Sequence, residues 1–363
     1  MSAEPYQLYG AHLSYYTGKT RAHLLYKGVP FIEHMPTRQA YQEVIVPRTG
    51  VRFIPVLISP DDIAVQDTSE IADFIESRFP TPSIYPAGPR QRLAAQLFEI
   101  YGDEWLILPA MLYRWLYNKE FATLGFGAAL HPEADLETQR QAGVQACAPF
   151  AGSLPFLGIT EASRPGVEVE YLEFLDLFAE HLRHHPFLLG TRPSIGDFGL
   201  MGPLYAHLLR DPRSGEIMHL RAPRVVQWIE RMNFPVPNSG EFLPDDEVPE
   251  TLLPLLRRLF AQHGPIIADT IRLTGAWIAA KGEAELPRVI GQHLCRIGGV
   301  EAPRAVFPYL QWMWQRAVDC LARLDDAERA AAEDWLAELG GLDLFRTPIA
   351  RRLERRNNRL MPA

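Results

Sequence analysis

The order of apolar and polar positions divides the chain into a mixed first part and a helical remainder. Tyr6 to Gly10 reads as a short strand, and Phe31 to Met35 as a second with partial alternation. Thr17 to Gly28 between them reads as a helix, with Ala22, Leu24, Leu25 and Tyr26 supplying bulk and Gly28 as the stop. Residues 36–50 contain Pro36, Pro47 and Gly50 and show no period, which predicts an irregular loop with a short helix. Phe53 to Ile58 and Ile63 to Gln66 flank the turn signal Ser59-Pro60-Asp61-Asp62 and predict a hairpin. Ser69 to Phe79 sets Ile71, Phe74 and Ile75 on one helical face. The order β-α-β, irregular segment, β-β-α predicts a small α/β sandwich with four strands of mixed direction.

Residues 79–89 hold four prolines and a glycine and read as a linker. Beyond it the pattern is almost wholly helical. Residues 90–117 predict one long amphipathic helix kinked at Pro109. Residues 167–185 place Leu172, Leu175, Ala179 and Leu182 on one face, and helices follow over 194–210 and 223–232. After a second proline-rich break at 234–250, the remainder also reads as helical: 251–263, 265–281, 303–324 and 325–339, the last stopped by Gly340-Gly341. No repeat or low-complexity tract is visible.

Two features point to chemistry. Pro55 lies within the apolar run Phe53–Ile58, although proline has no N–H for a ladder. A cis Ile54–Pro55 bond at a strand start beside a ligand resolves that conflict, leaving backbone groups for an extended peptide to dock on; a trans edge proline is the plainer alternative. The polar run Gln66-Asp67-Thr68-Ser69 then opens a helix whose first turn has free N–H groups and a positive dipole end, a site for a carboxylate. An ordinary N-cap at Thr68 or Ser69 accounts for the same residues.

These pieces, in this order, resemble the glutathione transferase superfamily. "LYGAHLSYYTGKTRAHLLYKGVPF" resembles the first strand, active-site turn and first helix, "IPVL" the cis-proline segment, and "QDTSEIADFIESRFP" the motif opening the third helix. "PFLLGTRPSIGDFGLMGPL" resembles the capping box and hydrophobic staple of the helical domain, and "PRVVQWIERM" its close. The resemblance covers roughly residues 6–232. It implies a thioredoxin-like glutathione-binding domain over 1–82, a linker at 83–90, an all-helical domain over 91–235 and a helical extension over 236–363.

It further implies glutathione as co-substrate, a hydrophobic electrophile as the second substrate, and a homodimer. Ile54, before Pro55, would offer its backbone to the cysteinyl part of glutathione, and Asp67 and Thr68 would bind the γ-glutamyl part. Holding the thiolate is the chemical task, because only about 3% of a thiol with pKa ~8.5 is ionised at pH 7. A helix N-terminus contributes ~0.3–1 kcal/mol, less than one pKa unit, so a hydroxyl donating to sulfur must supply the rest. Aligning on Lys19 and Arg21 places Ser14 at the serine position of the serine-type classes, with Tyr15, Tyr16 and Thr17 within reach. Tyr15 stands where the family usually has proline, so the hydroxyl stays open between Ser14 and the tyrosines. The turn has no cysteine, which disfavours thiol exchange. The alternatives are a non-catalytic binding or interaction module on the same fold, and a glutathione-dependent isomerase, dehalogenase or peroxidase.

Composition removes other classes. The 363 residues are 47% hydrophobic and 22% charged, with net charge −8 and pI near 5.8. That balance argues against general binding to nucleic acid or anionic membranes. Cys147, Cys295 and Cys320 form no disulfide framework or metal pair. The first residues lack a signal-peptide pattern and no apolar run spans a membrane, so a cytoplasmic protein is expected. His181, His184 and His185 read as helix-end groups rather than metal ligands. Ser194-Ile195-Gly196-Asp197 reads as a structural capping box. The six arginines of residues 346–360 read as a solvated or inter-subunit terminal helix, with an anion or acidic-partner site as the alternative. Trp105, Tyr113, Trp115 and Tyr117 read mainly as core, on the helix that lines the electrophile site in the family.

Overall fold

The computed structural model describes residues 4–363. The chain runs β1 (Tyr6–Tyr9), α1 (Tyr15–Tyr26), β2 (Phe31–His34), α2 (Arg38–Ala40), α3 (Val46–Thr49), β3 (Val56–Ile58), β4 (Ala64–Gln66) and α4 (Thr68–Arg78). There follow α5 (Pro89–Ile100), α6 (Ile107–Leu112), α7 (Lys119–Leu130), α8 (Leu136–Ala151), α9 (Arg164–His181), α10 (Ile195–Pro203), α11 (Pro212–Arg221) and α12 (Pro223–Asn233). The last part holds α13 (Leu253–Arg258), α14 (Gly264–Lys281), β5 (Gln292–Ile297), β6 (Val300–Ala305), α15 (Tyr309–Ala322), α16 (Asp326–Glu338), α17 (Leu342–Phe345), β7 (Leu353–Arg356) and β8 (Arg359–Pro362).

The first four strands make one sheet in the order β2-β1-β3-β4, with β1 parallel to β2 and the other pairs antiparallel. Both faces are covered, which is why Val56, Leu57 and Ile58 are all buried. Leu57 packs with Leu8, Leu24 of α1 and Ile71 and Ile75 of α4, while Val56 and Ile58 turn the other way onto Ile45. This is a thioredoxin-like domain, and a helical C-terminal domain follows it, with further helices beyond residue 233. β3 begins one residue after Pro55, so the proline stands outside the ladder, and the Ile54–Pro55 bond is cis.

Residues 36–50 are more ordered than their lack of period implies. α2, a π-helical turn at Tyr41–Ile45 and α3 run on to Gly50, whose φ of 72° ends the helix. The predicted helix over 90–117 breaks at Leu106, not at Pro109 itself. Proline removes the bond to the carbonyl four residues back, here Trp105, and its ring crowds that group.

The all-helical reading of the last third is corrected at two places. Residues 292–305 form the antiparallel hairpin β5–β6, turning at Gly298-Gly299 with φ of 57° and 80°. Pro303 therefore sits in a strand, and the helix predicted from it starts only at Tyr309. Residues 353–362 form β7–β8, turning at Asn357-Asn358 with φ of 51° and 62°. Two consecutive positive φ values are what a tight two-residue hairpin turn requires. The terminal arginines are thus on a hairpin and its approach, not on a helix. Arg346, Arg351, Arg352 and Arg359 pair with Glu333, Glu283, Asp319 and Glu285.

The chain folds into two compact units that interleave along the sequence. One takes the chain to Ile84 together with Pro109–Ser153 and Phe198–Gly240; the other takes Tyr85–Leu108, Leu154–Asp197 and Glu241–Ala363. In the second unit, Asp197 accepts hydrogen bonds from the Ser194 N–H and hydroxyl and from the Leu188 N–H, all buried. His181 is fully buried there as well, its ring nitrogens on Thr251 Oγ1 (2.8 Å) and Phe187 O (3.1 Å). Among the described residues no helix is long and apolar enough to cross a membrane.

In the first unit α7 and α8 form a hairpin that the periodicity leaves unassigned. Their backbones touch: a Cβ at Gly127 would overlap the Gln139 carbonyl, and one at Gly143 the Thr123 carbonyl. Gly127→Ala is expected to cost about 1–3 kcal/mol in thermal unfolding, because a packed backbone must move apart. A change under ~0.5 kcal/mol would mean the two helices are not held at that distance.

Candidate active site

The site forms where the turn before α1 meets the approach to β3. Ser14 is the N-cap of α1, with Oγ accepting from the Thr17 N–H at 3.3 Å and its own N–H donating to Ala11 O at 3.0 Å. Capping uses a lone pair of the hydroxyl and leaves its proton to give. Thr17 is turned inward: it is buried, packs against Gly10, and its Oγ1 accepts from the Ala11 N–H.

A cavity of about 70 Å³ lies on this turn. Leu13, Ser14 and Ile54 form one wall with Pro36 and Tyr41 beside them, and Phe126, Ala129 and Leu130 of α7 form the other. Ser14 and Ile54 therefore share one space. The N–H and C=O of Ile54 stand outside the β3 ladder, which starts at Val56.

Tyr15 and Tyr16 do not line that cavity. Tyr15 is buried against His207 and Tyr16, with ring centroids 5.2 and 4.8 Å away, and a Cβ at Gly202 would press on its ring. Tyr16 is half-buried beside it. Trp105, Tyr113 and Trp115 are buried and Tyr117 is 45% exposed, and none of the four lines the cavity. The apolar wall comes from α7 instead. Nothing in the notable aromatic stretch pointed there; the only signal was the Leu124, Phe126 and Leu130 content of a segment without clear caps.

Asp67 and Thr68 stand at the start of α4, apart from the cavity lining. The capping residue is Asp67 rather than Thr68 or Ser69: its Oδ1 accepts from the Ser69 N–H (2.9 Å) and the Glu70 N–H (3.3 Å). Asp67 has φ of 89°, a region that non-glycine residues enter only when the surroundings force them. Its carboxylate serves Ser69 and Glu70, which leaves the Thr68 N–H and hydroxyl outside the cap. Lys19 is buried and donates from Nζ to Ser69 Oγ at 3.3 Å, bringing a cation to this helix start.

A buried ion pair holds the turn from behind. Arg114 donates to both oxygens of Asp211 (2.8 and 2.7 Å), to Ala206 O (2.6 Å) and to Leu13 O (2.8 Å). Nη1 also meets His207 Nε2 at 2.9 Å. Burial, and then the Arg114 charge, push the His207 pKa well below its ordinary value, so the ring is neutral and accepts. Burial raises the Asp211 carboxyl, against the opposing pull of Arg114. A second buried cluster joins His23, Lys27 and Glu76, which accepts at 3.2 and 2.9 Å and also caps the Ile84 N–H. No group of three His, Cys, Asp or Glu side chains suited to a metal ion occurs among the described residues.

Residues 8–83 match the family model described as the glutathione S-transferase N-terminal domain, and residues 161–231 that of the C-terminal domain. No curated protein matches the chain. Among solved structures, a glutathione S-transferase from Methylobacterium radiotolerans, in complex with glutathione sulfonate, is 24% identical over 68% of this chain and 100% of its own, with TM-score 0.40. A Tau class enzyme from mango, Mangifera indica, is 21% identical over 68% and 94%, with TM-score 0.39. The beta-etherase of a Sphingobium species is 19% identical over 65% and 97%, with TM-score 0.45. Two domain matches in the order of the fold, on a thioredoxin-like sheet followed by helices, place this chain in the glutathione S-transferase superfamily, with additional elements after the second domain.

Proposed function

We propose that this protein binds glutathione at the edge of β3 and conjugates its thiolate to a hydrophobic electrophile, with Ser14 as the hydroxyl that stabilises the sulfur. The observation that carries the reading is that Ser14 and Ile54, whose backbone stands outside the β3 ladder, line one apolar-walled cavity. Ile54 takes the cysteinyl peptide group by strand addition. At the start of α4 the Thr68 N–H and hydroxyl take the γ-glutamyl carboxylate, and the Asp67 carboxylate takes its ammonium. Sulfur then lies at the N-terminus of α1, where the helix dipole and one donated hydrogen bond favour the charged form. Tyr15 and Tyr16 support the turn by packing. The reading includes a cytoplasmic homodimer, checked by sedimentation of the purified protein.

Ser14→Ala is expected to raise the pKa of bound glutathione to near its free value of ~8.5, leaving only about 3% as thiolate at pH 7. Ultraviolet absorbance of the bound thiolate, followed against pH, measures this directly. Conjugation of generic electrophiles should fall by about one to two orders of magnitude, with glutathione affinity changed little. Retention of full turnover in Ser14→Ala would remove Ser14 from the role. No binding of glutathione by calorimetry would remove the function.

A further inference from the structure

The two walls of the cavity are held in different ways. Leu13 and Ser14 are fixed: the Leu13 carbonyl is tied to the buried Arg114–Asp211 pair, and Ser14 is tied into α1 by its cap. The α7 wall belongs to a hairpin whose polar contacts are internal, such as Thr123 Oγ1 to Lys119 O, Gln139 Nε2 to His131 O, and Arg140 to Glu120. Among the described residues no hydrogen bond or ion pair joins residues 119–151 to residues 4–84; the contact is apolar, with Leu13 seated over Gly125. Within itself the hairpin is stiff, because Gly127 and Gly143 let the two backbones touch.

The space between the walls is small. A cavity of about 70 Å³ is under half the ~150 Å³ that admits a benzene ring, and far below the ~300–1,000 Å³ of ordinary ligand sites. The sulfur end of a peptide thiol and an electrophile do not fit there together. A wall fixed by hydrogen bonds facing a stiff one held by apolar contact is an arrangement in which the second wall can swing as a body about its ends.

We propose that the α7–α8 hairpin is a gate over the Ser14–Ile54 site, opening as a unit to admit the thiol and its partner and closing Phe126, Ala129 and Leu130 over the sulfur. The inference rests on the site reading above. Closed over the sulfur, the gate excludes water from the thiolate, and its apolar wall favours non-polar electrophiles over charged ones when it opens to admit them.

Distances between spin labels at His12→Cys and Val144→Cys, both exposed positions, test the gate without any ligand, in a background with the native cysteines replaced. Double electron–electron resonance should show two populations, a closed and a wider one. A single narrow distribution overturns the proposal. The double variant Leu13→Cys with Gly125→Cys locks the wall to the turn when oxidised. Glutathione affinity, measured by calorimetry, should weaken at least about tenfold on oxidation and recover with a phosphine reductant. Equal affinity of the oxidised and reduced forms also overturns it. Failure of the wild type to bind glutathione at all would sink the proposed function, while the spin-label distances would still decide the gate.

Discussion

Replacing Arg114 by alanine is expected to destabilise the protein by about 3–5 kcal/mol, a large share of the ~5–15 kcal/mol typical of a folded domain. Arg114 and Asp211 are 1% and 0% exposed, and removing the guanidinium leaves a carboxylate in a dry interior with its partner gone. The same change strands the carbonyls of Leu13 and Ala206, each of which loses its donor. Equilibrium urea unfolding should show a lower midpoint with an unchanged slope. Arg114→Lys should recover little, because an ammonium cannot form the two parallel bonds of the guanidinium fork. A loss below ~1 kcal/mol would show that Asp211 is neutral or solvated in the native protein. Replacing both partners with apolar residues should cost less than the single change, since no charge is then left buried.

Acid should unfold the protein well above the usual carboxylate range. Four buried histidines, His23, His181, His207 and His263, are all held neutral by desolvation, and burial lowers His181 to about 4. Below pH 6.5 the unfolded chain takes up protons that the native chain refuses, so stability is full above pH 6.5 and drains away as the pH falls. His181 alone accounts for about 3 kcal/mol by pH 4, at roughly 1.4 kcal/mol per unit. The other three act in the same direction and steepen the fall. Urea midpoints measured from pH 7.5 down to 4.5 should drop continuously. In His181→Gln, where the amide can still meet Thr251 Oγ1 and the Phe187 carbonyl, the drop should be shallower. A flat profile between pH 7 and 5 would show that these rings are protonated or hydrated in the folded state.

The sequence made the thioredoxin-like domain readable because its signals are local. Alternating apolar residues, Gly28 as a stop and Pro55 beside Ile54 each mark a backbone event at the position where they stand. The place of Ser14 at the start of α1, too, was reachable by spacing from Lys19 and Arg21, yet its separation from Tyr15 was not. That depends on Gly202 and His207, nearly two hundred residues away, which claim the Tyr15 ring. The α7 wall was illegible for a related reason. α7 and α8 bury glycine faces against each other, so their contact surface carries no apolar stripe to detect. In the last third, arginine-rich and proline-containing stretches suggested helix, while the deciding turn residues were the pairs Gly298-Gly299 and Asn357-Asn358. Such pairs outrank composition, because only a few residue types accept two successive positive φ values.

The interleaving of the two units has a consequence for how the chain is made. Every segment of the first unit has left the ribosome once residue 240 has emerged, so its sheet, its buried Arg114–Asp211 pair and the Ser14 turn can assemble during synthesis. The second unit holds Tyr85–Leu108 and Leu154–Asp197 but lacks Glu241–Ala363 until residue 363 has been made. At ~5–20 residues per second, making the chain from Asp197 to Ala363 takes on the order of 8–33 s, and the earlier helices wait at least that long with their apolar faces uncovered. A nascent chain halted there carries one finished unit and one unfinished core, and the latter is a clear target for chaperones and proteases.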